Sequence, residues 1–98
     1  MKNGLPPIHP GEVLREEVLK PLGLSANALA RELRVPVTRI AEILHERRTV
    51  TADTALRLAR FLGTTPEYWL RLQAAYDLSV AKRETGRRIA REIVPRAA

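Results

Sequence analysis

The chain contains no cysteine, few aromatic residues and no long hydrophobic run among its 98 residues. Without cysteine there are no disulfides, thiolate metal ligands or cysteine nucleophiles. Only four residues are aromatic although 45% are hydrophobic, so a core must consist mainly of aliphatic side chains, which favours helices. No apolar stretch approaches the roughly 18 residues of a membrane span, and the N-terminus lacks the apolar region of a signal peptide. We therefore expect one all-α domain that is cytoplasmic and does not contact membranes.

Side chains that would form an active site are also scarce. The five glycines are spread along the chain and form no phosphate-binding loop. No group of histidine and carboxylate residues has the spacing of a metal site. The two histidines, the serines and the carboxylates are each explained by capping or by solvent exposure. We expect neither an enzyme nor a cofactor or metal.

Positive charge, in contrast, is abundant, with a net charge of +6 and a pI of about 10.8. Fourteen of the seventeen basic residues are arginine, whose planar guanidinium suits bidentate contacts with phosphate and guanine. A basic balance raises affinity and association rate for polyanions. Many basic proteins never touch nucleic acid, so the charge supports a nucleic-acid ligand without establishing one.

Two short helical patterns follow one another between residues 24 and 48. Ser25 suits the N-cap of the first pattern, in which Leu29 and Leu33 lie one turn apart. Pro36 ends this pattern, because the residue before a proline is pushed out of the α region. The same proline suits the first position of a second helix, where its missing N–H costs nothing.

The second pattern places apolar Ile40, Ile43 and Leu44 on one side and short, polar or basic residues on the other. Two helices of about two to three turns, joined by a turn of about three or four residues, form the helix-turn-helix of DNA readers. The outward residues have the composition needed to enter a major groove: Val37, Thr38, Arg39 and Glu42. The pattern alone equally fits an ordinary corner of two helices with a solvated outer face.

The N-terminal part predicts a flexible arm followed by a helix. Residues 1–9 contain a glycine and two prolines and should be extended. Pro10 suits the first position of a helix that Pro21 and Gly23 then stop. We expect this helix to support the helix-turn-helix, and His9 to be a cap or packing residue rather than a ligand.

Two more helices are expected after the helix-turn-helix. Thr51 suits the N-cap of a fourth helix that ends at Gly63, and Thr65 suits the N-cap of a fifth. The fifth helix carries most of the aromatic residues, which fit either a core anchor or a dimer interface. We expect both roles. Trp69 should lie mainly in the core, and Leu72 and Tyr76 partly in a dimer contact, so that all three are candidates for the dimer interface.

The C-terminal stretch, residues 78–98, is basic and has only a thin apolar stripe. It fits a continued helix, a segment that orders on contact with a partner, or a solvated tail. Pro95 ends any helix here. We therefore divide the chain into an arm (1–9), a helix-turn-helix domain (10–77) and a basic extension (78–98).

Four further motifs, read with the helix-turn-helix stretch, resemble one family. They are HPGEVL from His9, PLGLS from Pro21, TADTALRLARFLGT from Thr51 and PEYWLRLQ from Pro66. Together they resemble the HigA (VapI-like) antitoxins of the Cro/C1-type (XRE) helix-turn-helix family, over residues 8 to about 80. Many members of that family carry glycine at the turn, where this chain has Arg34. The resemblance implies a compact five-helix, lambda-repressor-like domain with a C-terminal helical extension.

The resemblance also implies a function and partners. A single helix-turn-helix contacts few base pairs, so we expect a homodimeric repressor that binds an inverted-repeat operator in double-stranded DNA. The HigA-type members that this chain resembles add a second partner. They neutralise a RelE-like mRNA-cleaving toxin (HigB) encoded beside them and repress the shared operon. Two alternatives stay open: a solitary regulator without a toxin, and a protein-interaction module that does not read DNA. RNA binding is less favoured, because exposed stacking aromatics are missing.

Site residues follow from the helix-turn-helix motif. The candidate base contacts are the outward residues of the second helix, of which Arg39 suits a bidentate contact with guanine. Glu42 either accepts from cytosine or pairs with a neighbouring arginine. Phosphate contacts are expected from residues that flank the reading helix, although the two loop arginines also fit a solvated loop: Ser25, Asn27, His45, Arg47 and Arg48.

Overall fold

The computed structural model describes residues 8–97 and contains five helices within that range. Helix α1 is continuous and has three parts: an α-helical start, Pro10–Val13, a π-helical stretch, Leu14–Leu19, and an α-helical end, Lys20–Leu22. The later helices are α2 (Ala26–Leu33), α3 (Val37–Leu44), α4 (Ala52–Leu62) and α5 (Pro66–Glu92). The predicted all-α, five-helix fold is confirmed. Most of the predicted N-terminal arm, residues 1–7, lies outside the described residues.

The predicted caps begin three of the helices. The side-chain oxygens of Ser25, Thr51 and Thr65 each accept from the amide three residues further on, at 3.0, 3.4 and 3.1 Å. Gly23 and Gly63 end α1 and α4 in the left-handed conformation, at φ 66° and 76°. These caps satisfy amides and carbonyls that a helix leaves without internal partners.

Two prolines do not act as the sequence predicts. Pro21 does not stop α1 but lies inside its last turn. The amide of Lys20 bonds to the Arg15 carbonyl, five residues back, and a π-helical turn is wider than an α-helical one, which leaves room for the ring. Pro36 precedes α3 as its N-cap, with ψ 143°, so the helix begins at Val37 instead.

The core forms where α1, α2, α3, α4 and the start of α5 meet. The apolar residues predicted to face the core from α2 and α3 do so, and that prediction is confirmed. The largest fully buried apolar side chains are Leu14, Leu29, Ile40, Ile43, Val50, Leu58 and Trp69.

Trp69 is 1% exposed, and its Nε1 donates to the Thr64 hydroxyl at 2.8 Å. Its side chain therefore lies in the core of one protomer, as the sequence indicates for its main role, and is not on a surface that a second copy can contact. The dimer prediction keeps Leu72 and Tyr76, which are half-buried.

Helix α5 is 27 residues long and crosses residue 77 without a break. Of the alternatives for the basic extension, the structure has the continued helix, which ends before Pro95. The helix projects from the body of the protein, whose longest dimension is 52 Å against 26 and 23 Å for the other two. The division at residue 77 stays a prediction. No helix among the described residues is long and apolar enough to span a membrane.

Helix α1 approaches the end of α3 at Gly11, which is buried. A Cβ atom at this position would lie 1.8 Å from the Ile43 carbonyl oxygen. Only glycine fits that contact without a shift of one helix against the other.

We therefore expect Gly11→Ala to lower the free energy of unfolding by about 1–3 kcal/mol, as overpacking does in other cores. Gly86→Ala is the matched control, because a Cβ there meets its nearest neighbour, Lys82, at 3.9 Å. Because Gly86 lies inside α5, Gly86→Ala should raise the free energy of unfolding by about 0.5–1 kcal/mol. Urea unfolding of both variants shows whether the free energy of unfolding falls for Gly11→Ala and rises for Gly86→Ala. Equal effects would contradict the close approach of α1 to α3.

His9 caps α1, which confirms the predicted capping role. Its Nδ1 accepts from the Gly11 amide at 2.8 Å, and its ring packs against the Tyr76 ring in a T-shaped arrangement with a centroid distance of 4.8 Å. The side chain is buried, and desolvation lowers the pKa of the imidazole below its ordinary value, against the opposing attraction of Glu46 and Asp77. His9 therefore favours the neutral ring, which is the form that can accept this bond.

This lowered pKa predicts a pH dependence of stability. The unfolded chain takes up the His9 proton more readily than the folded protein, so the free energy of unfolding should fall as pH drops from about 7.5 to about 5.5. His9→Asn keeps a cap acceptor but does not titrate, and it should show a shallower fall. Chemical unfolding across this range compares the two proteins, and parallel curves would contradict the buried neutral histidine.

Candidate nucleic-acid interface

Three residues, Arg34, Val35 and Pro36, join α2 to α3. Arg34 adopts the left-handed conformation, with φ 60° and ψ 45°, at a place where glycine is the usual residue. The Val35 amide donates to the Ala30 carbonyl at 3.1 Å, which closes the end of α2. The turn has the predicted length. The left-handed conformation costs a residue other than glycine about 1–2 kcal/mol, and Arg34 adopts it.

Helix α3 presents the four candidate base readers on its accessible side. Ile40 and Ile43 are fully buried on the opposite side. Val37 is 40% exposed and Thr38 is exposed, while Arg39 is half-buried. The structure thus brings Val37, Thr38, Arg39 and Glu42 to one accessible surface, and their role in reading bases stays a prediction.

Arg39 is held by a network that the sequence does not reveal. Its Nη1 donates to Asp53 Oδ2 at 2.8 Å, and Arg57 Nε donates to the same oxygen at 2.9 Å. Arg57 Nη1 also donates to the Leu33 carbonyl, the last of α2, at 2.8 Å. We call these four residues, Leu33, Arg57, Asp53 and Arg39, the Asp53 network. It connects the end of α2, the first turn of α4 and helix α3.

The Asp53 network lowers the pKa of the Asp53 carboxyl. The hydrogen bonds from Arg57 and then from Arg39 hold the pKa of the Asp53 carboxyl below its ordinary value. The i,i+4 spacing of Asp53 and Arg57 predicts their pairing on one helix. The bond between Asp53 and Arg39 joins two helices, and no sequence spacing predicts it.

Glu42 pairs with Arg48, whose Nη2 lies 2.7 Å from Glu42 Oε1. This contact corresponds to the second alternative for Glu42, in which it binds a neighbouring arginine. Both side chains are 45% exposed, so the pair is open to solvent and to a competing ligand.

The candidate phosphate contacts lie at the two ends of the helix-turn-helix. Ser25 and Asn27 are exposed at the start of α2, and the Ser25 hydroxyl keeps its own proton for donation while it accepts the cap bond. His45 Nδ1 bonds the Ala41 carbonyl at 2.8 Å, so this nitrogen is the donor and Nε2 donates only from a doubly protonated ring. Arg47 is exposed in the loop after α3. These phosphate roles stay predictions.

Arg15 caps the end of α3, and the sequence gives no indication of this role. Its Nη1 donates to the Leu44 carbonyl, and its Nη2 lies 3.5 Å from the Glu46 carboxylate. A cation at this place offsets the partial negative charge of the helix end. The contact spans 29 residues of sequence, and no local pattern marks it.

Gln73 fixes the loop after α3 to α5. It is 5% exposed, and its Oε1 accepts from the Val50 amide at 2.8 Å while its Nε2 donates to Asp77 at 2.9 Å. A buried amide without a partner is costly, so this side chain stabilises the loop that carries Arg47 and Arg48.

We expect Gln73→Met, which keeps the side-chain volume, to lower the free energy of unfolding by about 1–3 kcal/mol, because the Val50 amide loses its acceptor. Asp77→Asn leaves that bond in place and is the control, with a smaller expected change. Urea unfolding compares the two variants. A Gln73 effect no larger than the Asp77 effect would contradict the assigned role.

A short helix-turn-helix with an accessible, arginine-bearing second helix defines a class, the DNA-binding helix-turn-helix proteins. A family model described as Helix-turn-helix matches residues 16–69, more than half of the chain. The chain belongs to this helix-turn-helix family. That membership places it among DNA-binding regulators and not among enzymes. Within the described residues, no group of three or more histidine and carboxylate side chains could hold a metal ion.

Three similar proteins support the assignment. Virulence-associated protein I of Dichelobacter nodosus is 58% identical over 83 residues, which are 85% of this chain and 77% of that protein. The structure of Pseudomonas aeruginosa antitoxin HigA with the higBA promoter superposes with a TM-score of 0.90 and 42% identity, over 93% of this chain and 99% of that one. The structure of antitoxin GraA in complex with its operator superposes with a TM-score of 0.91 and 51% identity, over 100% of this chain and 99% of that one. The chain therefore belongs to the HigA (VapI-like) branch of the helix-turn-helix family.

Proposed function

We propose that this protein is a sequence-specific DNA-binding repressor that acts as the antitoxin of a toxin–antitoxin pair and represses its own operon. The observation that carries the proposal is the arrangement of α3: its inner isoleucines are fully buried, and its first turn presents Val37, Thr38 and Arg39 outward. Structures of similar proteins, HigA with the higBA promoter and GraA with its operator, contain DNA.

In this proposal, the outward side of α3 enters the major groove. Arg39 donates two N–H groups to O6 and N7 of a guanine, and the Thr38 hydroxyl and Val37 methyl groups contact neighbouring base edges. Glu42 accepts from a cytosine N4 or stays with Arg48. A guanine contact of this kind discriminates against the wrong base by about 1–3 kcal/mol.

Phosphate contacts fix the register of the reading helix on the duplex. Ser25 and Asn27 contact the backbone on one side of the groove, and His45, Arg47 and Arg48 contact it on the other. The loop arginines precede the start of α4, whose amide-rich end also favours an anion. Arg48 leaves Glu42 when it contacts phosphate.

Two copies bind together, because a single helix-turn-helix contacts too few base pairs for high affinity. The dimer contact includes Leu72 and Tyr76 on α5, and the operator is an inverted repeat. The second partner is a toxin, which the word antitoxin in the names of the HigA relatives supports. The family resemblance of the sequence implies that this toxin is RelE/HigB-like. A protein with these two partners works in the cytoplasm.

The experiment compares binding of the protein to its own upstream DNA and to a scrambled duplex of equal length, at about 50 and 200 mM salt. We expect preference for the native duplex at both salt concentrations. Arg39→Ala should remove about 1–3 kcal/mol of this preference. Arg60→Ala is the control, because it deletes an exposed arginine from the last turn of α4. Equal, salt-sensitive binding to both duplexes would contradict the repressor function.

A further inference from the structure

We propose that Asp53 is a positioning residue that sets the sequence specificity of Arg39. In this inference, which rests on the proposed function, Asp53 orients the Arg39 guanidinium for guanine and neutralises its charge toward nonspecific phosphates. Asp53 itself does not contact bases.

Asp53 is held in place by Arg57. Its Oδ2 accepts from Arg57 Nε, and Arg57 is fixed in turn by its bond to the Leu33 carbonyl. A backbone atom at the end of α2 thus anchors the carboxylate through one side chain. The Asp53 network therefore places the carboxylate relative to the helix-turn-helix itself, and the bond to Arg39 transmits that placement to the reading helix.

Arg39 keeps N–H donors that its bond to Asp53 does not use. A guanidinium carries five N–H donors, and the bond to Asp53 uses Nη1. Enough N–H groups remain on the other edges of the same plane for a bidentate contact with guanine O6 and N7. Arg39 therefore reads a base while Asp53 holds it, and fewer side-chain rotamers are lost on binding than for a free arginine.

The ion pair between Arg39 and Asp53 is open to solvent. The Arg39 side chain is 29% exposed and the Asp53 side chain is 56% exposed, so solvent screens their attraction. Such exposed pairs contribute little to folding stability. The carboxylate does, however, offset the positive charge of Arg39 at the DNA surface, which weakens contacts with any phosphate and penalises wrong sequences.

The test uses Asp53→Asn, with Glu67→Gln as the matched control. Both substitutions remove one negative charge from the first turn of a helix, but Glu67 lies on α5. The measurements are affinity for native and scrambled upstream DNA and the salt dependence of each. Thermal unfolding confirms that the variants are folded.

We expect Asp53→Asn to lower the ratio of native to scrambled affinity by about tenfold, through weaker native binding and stronger scrambled binding. The slope of log affinity against log salt for scrambled DNA should steepen by about one, as for one additional phosphate contact. Glu67→Gln should leave the ratio and the slope near the wild-type values. Asp53→Glu, which keeps the charge, should recover part of the ratio.

Arg57→Ala separates positioning from charge. Loss of a positive charge alone weakens binding to both duplexes and leaves their ratio unchanged. If Arg57 also holds Asp53 in place, Arg57→Ala should lower the ratio of native to scrambled affinity, and this is the result we expect.

Two outcomes overturn the inference, and they are distinguishable. If the wild-type protein prefers its native DNA and Asp53→Asn keeps the same ratio as Glu67→Gln, the positioning role is wrong and the repressor function stands. If the wild-type protein shows no preference at either salt concentration, the repressor function and the positioning role both fall.

Discussion

The burial of two isoleucines on one short helix is the constraint on which the rest of the structure depends. Helix α3 has only eight residues, fewer than an isolated helix needs to persist in water. It forms because Ile40 and Ile43 are fully buried, and each such side chain contributes about 1.5–3 kcal/mol. The other helices supply the apolar surface that receives them. Because the inner side of α3 is buried in the core, its outward side is available to a ligand.

Contacts from other helices hold α3 at both ends. At its C-terminal end, Gly11 allows α1 to approach the Ile43 carbonyl, and Arg15 donates to the Leu44 carbonyl. Toward its start, Asp53 on α4 holds Arg39. A short reading helix fixed in this way presents its side chains in one geometry, which limits the entropy lost on binding. Residues that lie outside the helix-turn-helix therefore hold the helix that we propose to read bases.

The sequence predicts which residues form helices and which sides face inward, because caps and hydrophobic periodicity are local signals. Ser25 and Ile40 are found where these signals place them. Contacts between helices are harder to predict, because they depend on how the helices pack. Arg39 and Asp53 are 14 residues apart, and no spacing rule joins them. Pro21 is a local signal that gives a wrong prediction. A proline usually ends a helix, but the π-helical turn before Pro21 leaves room for its ring. The base, phosphate and dimer contacts depend on partners that a single chain does not contain.

The central claim, that α3 reads DNA from a two-fold dimer, is tested most directly by hydroxyl-radical footprinting of the upstream DNA. Two reading helices related by a two-fold axis enter the major groove one helical turn apart, or a multiple of it. The account predicts two protected patches whose sequences form an inverted repeat, with centres separated by roughly 34 Å, about 10 base pairs, or a multiple of that distance. A single patch, or uniform protection along the duplex, would contradict it.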